Sequence, residues 1–174
     1  TVRRREPWCG CTTLPPGGYS GRVLGGAMAI QSARFERPMD VPSQTFTAEK
    51  EQIGAMAASL VRSGETIILD AGTTTLAMAM ALPQDLRDLV VITSSLDIAI
   101  ALEEHPGASV VVTGGSLKKT GRNLRSRSLV SPFASLLLEQ LNADCAYLCC
   151  AGIDAERGFT NAHFEEVEVK RAML

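Results

Sequence analysis

The sequence predicts an α/β protein with an open, mainly parallel sheet and helices on both of its faces. Three observations carry that expectation. Short apolar, β-branched runs recur along the chain, segments with helical spacing separate them, and each run ends in glycine, hydroxyl or acidic residues. Near-continuous apolar strands belong to sheets buried on both faces. Strands alternating with helices imply right-handed crossovers between parallel neighbours.

The elements follow in order. Segment 1–21 is rich in proline and glycine and reads as irregular, and 22–45 reads as an extended connector. Regular structure is expected from Phe46. Over 47–63, Ile53, Met56, Ala57 and Leu60 recur at helical spacing, with Thr47 a candidate cap and Gly64 a stop. Strands are expected at 66–70 (TIILD), 89–93 (LVVIT), 109–113 (SVVVT) and 145–150 (CAYLCC), and helices at 74–82, 95–104, 129–141 and 164–173. The basic run 118–127 reads as a loop whose charges are solvated.

Composition narrows the function classes. The chain has 174 residues, 45% of them hydrophobic and 21% charged, with a formal net charge of -2. That length buries enough surface to fold without a disulfide or metal staple, and the charge excludes a protein that coats nucleic acid by electrostatics alone. No apolar run reaches the roughly eighteen residues of a membrane span. The opening TVRRREPWCGC lacks the apolar stretch of a secretory signal, so a cytoplasmic protein with no membrane partner is expected. The five cysteines show no metal-ligand spacing, and His105 and His163 stand alone. No metal site and no cofactor are therefore expected.

In an open parallel sheet, ligands bind beyond the carboxyl ends of the strands. The first strand ends in Asp70-Ala71-Gly72-Thr73-Thr74-Thr75 and enters a helix. Glycine permits close approach, and the first N–H groups of a helix are unpaired donors in a field that favours an anion. Capping alone would also explain the threonines. The second strand ends in Thr93-Ser94-Ser95, which also suits an ordinary cap. The third ends in Gly114-Gly115 with Lys118 nearby, and the fourth in Gly152 and Asp154. Asp154 could grip sugar hydroxyls or sit in a turn with Gly158. Together these rims suggest a socket for a phosphorylated polyol. Glu166 and Lys170, four residues apart, read by spacing alone as a surface pair.

In this order and spacing, the motifs LDAGTTT, TGG, AGID and VKRAM, with RVLGGAM ahead of them, resemble the effector-sensing domain of the DeoR family of bacterial transcriptional regulators. The resemblance runs from about Arg22 to Leu174. It implies a Rossmann-like fold similar to ribose-5-phosphate isomerase and coenzyme A transferase domains. It also implies a repressor of carbohydrate catabolism that senses a phosphorylated sugar or polyol and assembles as a homo-oligomer.

By position, the resemblance implies ligand contacts from Asp70, Gly72, Thr73, Thr74, Thr75, Thr93, Ser94, Ser95, Gly114, Gly115, Gly152, Asp154 and Lys170, with Lys170 facing the site. Ser94 stands where the family more usually has asparagine, and the stretch 122–127 departs from the usual short path. The family's helix-turn-helix is expected to be missing here, with only Thr1-Val2-Arg3-Arg4 resembling its end. The sensor is expected to lack its last strands, as though the chain were truncated at both ends. Operator DNA would then be reached only through a helix-turn-helix outside this chain. The rival reading is an aldose–ketose isomerase on the same fold, for which Asp154 and Glu166 are the local candidate bases.

Overall fold

The computed structural model describes residues 20–23, 26–29, 46–120, 124–130, 132–161 and 163–174. The segment before Ser20 expected to be irregular, most of the expected connector, and Arg122 lie outside the described residues. The chain divides into two compact units, Thr1–Phe35 and Glu36–Leu174. In the first, β1 (Ser20–Val23) and β2 (Gly26–Ala29) pair antiparallel. Regular structure thus starts earlier than the sequence suggests; these four-residue strands are too short to show a period.

The second unit holds the parallel sheet. Its strands are β3 (Thr66–Leu69), β4 (Leu89–Thr93), β5 (Ala108–Val112) and β8 (Cys145–Tyr147). They lie in the order β5-β4-β3-β8, all parallel. β3 is therefore the first strand, flanked by the second on one side and the last on the other. The order of connection reverses between β3 and β8, and a crevice opens at the carboxyl ends of strands at such a point.

Period-two alternation sends successive side chains of these strands to opposite faces. Ile67, Leu69 and Val91 pack on one side with Ala58, Met78 and Ile98. Those partners come from α1 (Thr47–Ala58), α2 (Thr73–Met80) and α3 (Leu96–Ala101). Ile68 and Ile92 pack on the other side with Ala134, Leu138 and Val169. These come from α4 (Phe133–Leu138) and α5 (Phe164–Ala172). Helices thus cover both faces, as the apolar runs predict.

α1 packs on α2 through Gly54, where an added Cβ would meet the backbone N of Met78 at 2.6 Å. Its outward side leaves Ile53 and Met56 exposed, as is Leu60 in the turn beyond it. Thr47 is the first helical residue and not the cap; Phe46, at φ 56°, takes that place without a side-chain hydrogen bond. The helix tightens after Ala58: Ser59 Oγ donates to Met56 O at 2.7 Å, Val61 N bonds back three residues to Ala58 O, and Gly64 turns at φ 84°.

The largest departure from expectation lies between Ser116 and Val130. The basic loop and the start of the helix expected at 129–141 are a hairpin, β6 (Ser116–Thr120) against β7 (Leu124–Val130). Arg125 and Arg127 alternate with Ser126 and Ser128, a strand period masked by the charge of the run. Pro132 stands at the cap, and α4 starts only after it. The last strand is also shorter than expected, because the chain leaves the sheet after Tyr147. A further hairpin, β9 (Gly152–Asp154) with β10 (Gly158–Thr160), follows.

Replacing Gly54 with alanine must push α1 off the backbone of α2. Overpacking of this kind costs about 1–3 kcal/mol. Urea denaturation of Gly54→Ala is expected to show a lower midpoint with an unchanged slope; an unchanged midpoint would refute the close contact.

Candidate functional site

The crevice between the ends of β3 and β8 is built around one carboxylate. Asp70 follows β3 and is 3% exposed. Its Oδ1 accepts from its neighbour's amide, Ala71 N, at 2.8 Å, and its Oδ2 accepts from Cys149 N at 2.9 Å. The same Oδ2 accepts from Lys170 Nζ, forming a salt bridge. Lys170 also donates to Cys149 O at 3.0 Å. A buried carboxylate is tolerated only when its lost hydration is replaced by donors and a counter-charge. Asp70 receives both, and in doing so fastens the turn after β3, the turn after β8, and α5 to one another.

The loop into α2 is fixed from below. Thr75 Oγ1 donates to Asp70 O at 2.6 Å and lies 3.0 Å from Gly72 O. It also lies 3.6 Å from Cys149 Sγ. Gly72 is extended, and its absent side chain leaves the space that the Cys149 sulfur occupies; an added Cβ would collide with that sulfur. The first intrahelical donor is Leu76 N, to Gly72 O at 2.9 Å. Among the hydrogen bonds of the described residues, the N–H groups of Thr73 and Thr74 have no acceptor. They are the donors a helix start offers to an anion.

Burial pushes the Cys149 thiol above its ordinary value, and the Asp70 carboxylate adds to that; Thr75 and Lys170 act in the opposite sense. Cys149 is the residue of this cluster that the sequence does not single out, because it falls inside the apolar run 145–150. Only the early end of β8, at Tyr147, puts it past the carboxyl end of a parallel strand.

The other predicted residues divide. Thr93 is fully buried: its Oγ1 donates to Leu69 O at 2.7 Å and accepts from Ser95 N at 3.0 Å. Ser95 Oγ caps α3 by accepting from Ile98 N, and Ser94 O accepts from Leu129 N at 2.7 Å. These hydroxyls and carbonyls hold β4 to its neighbours. Gly114 and Gly115, both at positive φ, turn β5 into β6. Lys118 is not solvated; its Nζ bonds Glu166 Oε1 at 2.8 Å. Asp154 is exposed and accepts from Glu156 N and Arg157 N, both at 2.9 Å, closing its own hairpin turn opposite Gly158. Gly152 O accepts from Thr160 Oγ1. The surface pair suggested for Glu166 and Lys170 does not form, since each is taken by a partner from another element.

An apolar groove of about 490 Å³ lies between α3 and β5, lined by Leu96, Ile100, Leu102 and Val110 among others. None of the predicted site residues lines it. No helix among the described residues is long and apolar enough to cross a membrane.

A four-stranded parallel sheet with helices on both faces and a buried lysine at its switch point defines an α/β domain of Rossmann-like architecture. Residues 45–174 match the family described as the DeoR C terminal sensor domain, and the chain belongs to that family. It is 35% identical over 162 residues to the HTH-type transcriptional regulator GolR of Listeria innocua, covering 93% of this chain and 61% of the relative. It is 34% identical to the transcriptional repressor AccR of Agrobacterium fabrum, over 92% of this chain and 60% of the relative. It is 37% identical to the HTH-type transcriptional repressor GlcR of Bacillus subtilis, over 88% and 56%. The chain thus spans about six-tenths of the length of these relatives, all of them named as regulators and none as an isomerase.

The raised Cys149 thiol has a consequence for stability. The unfolded chain ionises this thiol near its ordinary value of 9.0, while the folded chain keeps the proton. Stability is therefore full below that pH and falls as pH rises through it. Thermal melts from pH 7 to 10 are expected to show a steeper alkaline loss for the unaltered chain than for Cys149→Ser. Parallel curves would refute a buried, protonated thiol at this position.

Proposed function

We propose that this chain is the effector-sensing part of a DNA-binding transcriptional repressor of carbohydrate catabolism, and that it binds a phosphorylated sugar or polyol without converting it. The observation that carries the reading is the union, at one switch point, of the Lys170 ammonium with the unclaimed N–H groups of Thr73 and Thr74. A phosphate ester is the natural occupant of such a site. Asp70 and Gly72–Thr75 form its floor. Thr93, Ser94, Ser95, Gly114 and Gly115 shape the adjoining strand ends, and Gly152 and Asp154 form the hairpin beyond β8, whose exposed carboxylate can still meet hydroxyls. Lys118 acts at one remove, through Glu166.

On this reading operator DNA is contacted by a helix-turn-helix, as the names of the relatives imply for those proteins, and the whole protein works in the cytoplasm. The exposed Ile53 and Met56 of α1, with Leu60 just beyond it, support assembly as a homo-oligomer. The isomerase reading has no observation in its favour. Glu166 is held by Lys118, Asp154 by its own turn, and a proton-abstracting base needs a free carboxylate within reach of substrate.

Isothermal titration with a panel of sugar phosphates and their unphosphorylated counterparts tests the reading. Saturable heat is expected from phosphorylated ligands alone. Thr74→Val is expected to weaken binding by about 1–2 kcal/mol and to leave the melting temperature nearly unchanged. Lys170→Ala is expected to weaken binding and also to destabilise the fold, because it strands the buried Asp70 carboxylate. Absence of heat from a cooperatively folded protein, or turnover in a coupled isomerase assay, would overturn the proposal.

A further inference from the structure

β5 is an interior strand by composition and an edge strand by position. Its residues, Ala108-Ser109-Val110-Val111-Val112, hold no charge and no proline, and the sheet order pairs it with β4 alone. Consecutive valines send apolar side chains to both faces, the pattern of a strand covered on both. Yet Val110 and Val111 are only half-buried and Val112 is 37% exposed, while Val91 and Ile92 on neighbouring β4 are 0% and 2% exposed. Edge strands are ordinarily protected by a charge, a proline or a bulge. β5 has none of these, and its register with β4 runs without a shift.

The backbone groups on the outer edge are defined. Leu89 N donates to Gly107 O and Thr113 N to Thr93 O, so the odd-numbered residues of this stretch face β4. Ala108, Val110 and Val112 face outward. Ala108 N turns back to His105 O at 3.4 Å. The N–H and C=O groups of Val110 and Val112 have no partner among the described residues. Another extended backbone is what completes such a ladder. Beside this edge runs the apolar groove between α3 and β5, where Ile100 is 58% exposed.

The charges at the two ends of β5 select the partner. At its amino end the exposed Glu103 and Glu104 come just before it, and Asp85 and Asp88 flank Arg87 in the turn packed against Gly107. Acids outnumber bases there, and Arg87 donates to the carbonyl oxygens of Gln84 and Leu86. At its carboxyl end comes the β6–β7 hairpin, and the sequence holds no acid between Glu104 and Glu139. Glu166 and Asp97 reach Lys118 and Arg127 from other elements, while Lys119 and Arg125 stand opposite each other in the register. The strand is thus acidic at its start and basic at its end. Two copies laid antiparallel bring unlike ends together, and a parallel arrangement would bring like ends together.

We propose that β5 is the seam of a two-fold dimer, in which the β5 strands of two copies pair antiparallel and the two sheets become one. With the axis at Val110, this residue exchanges both backbone hydrogen bonds with its equivalent, and Val112 N–H donates to Ala108 C=O of the other copy. The axis is then perpendicular to the sheet, so α3 of both copies lies on one face and the two grooves, each with its Ile100, meet across it. Such an interface is self-complementary and closes at two copies. The proposal rests on the homo-oligomer part of the reading above, names its surface, and asks nothing of the anion site.

The test is sedimentation and amide hydrogen exchange of the 174-residue chain over a dilution series. A dimer is expected, with the amides of Val110 and Val112 exchanging about tenfold or more faster once it is diluted to monomer, while the amide of Ile67 in central β3 is unchanged. Val112→Pro removes an N–H that the monomer does not use, and is expected to raise the dimer Kd about tenfold or more. Val112→Thr is expected to hold Kd within about twofold. Should Val112→Pro fail to fold, the exchange of the unaltered chain decides. Protection of Val110 and Val112 at every dilution means that a segment of the same chain fills the edge, and overturns the proposal. A dimer without that protection also overturns it; if Met56→Lys on α1 dissociates that dimer, the assembly reading stands and only this inference falls. A chain that is monomeric throughout overturns both.

Discussion

The ion pair between Asp70 and Lys170 is the constraint on which the rest of the site depends. A carboxylate at 3% exposure, with its hydration removed, must be repaid in donors. Here the donors come from three separated parts of the chain: the adjacent amide of Ala71, the amide of Cys149 after β8, and the ammonium of Lys170 on α5. Breaking a buried pair by removing one partner costs about 3–5 kcal/mol. None of these segments can therefore move alone without exposing an uncompensated charge. The pair also holds the lysine in place before any ligand arrives, so its side-chain entropy is already spent.

The geometry around that pair follows from it. Cys149 N can reach Asp70 only because the chain quits the sheet after Tyr147, which is why β8 is shorter than its apolar run. The cysteine side chain then falls against Gly72, and glycine is the residue that leaves room for the sulfur. Thr75 grips Asp70 O and Gly72 O, fixing the direction in which α2 starts. Thr93 reaches across to Leu69 O and ties β4 to the strand that ends in Asp70. A local demand for hydrogen bonds at one buried oxygen thus sets the shape of the crevice.

How much of this was legible in the sequence depends on the range of the interaction. Parallel strands were legible because burial on both faces writes itself as TIIL, LVVIT and SVVV, and the strand-to-helix loop because DAGTTT places glycine and hydroxyls between the two. The hairpin at 116–130 was not, because lysines and arginines conceal a period of two, and strand pairing is decided by tertiary context as much as by residue type. The partners of Lys118 and Lys170 were not legible from spacing either. Glu166 and Lys170 are close in sequence and could have paired on the helix surface. What separates them is the fold, which brings Asp70, a hundred residues away, to the lysine. The family resemblance placed Lys170 toward the site where spacing alone favoured the surface.

The same commitments that build the site also bear on what it can do. A general base needs a lone pair free to take a proton in the transition state. Asp70 spends its oxygens on two amides and an ammonium, Glu166 is held by Lys118, and Asp154 closes its own turn. Each of these acids is thus engaged by a structural partner. Such a site can still do work by binding. On the proposed reading, a phosphate drawn to Lys170 competes with Asp70 for the ammonium, and any change in that contact is felt by α5, which Glu166 joins to β6 and Lys170 joins to β3. Under that proposal, ligand energy is directed into the relative position of a helix and two strand ends instead of into bond breaking, which is the mechanical requirement of a sensor.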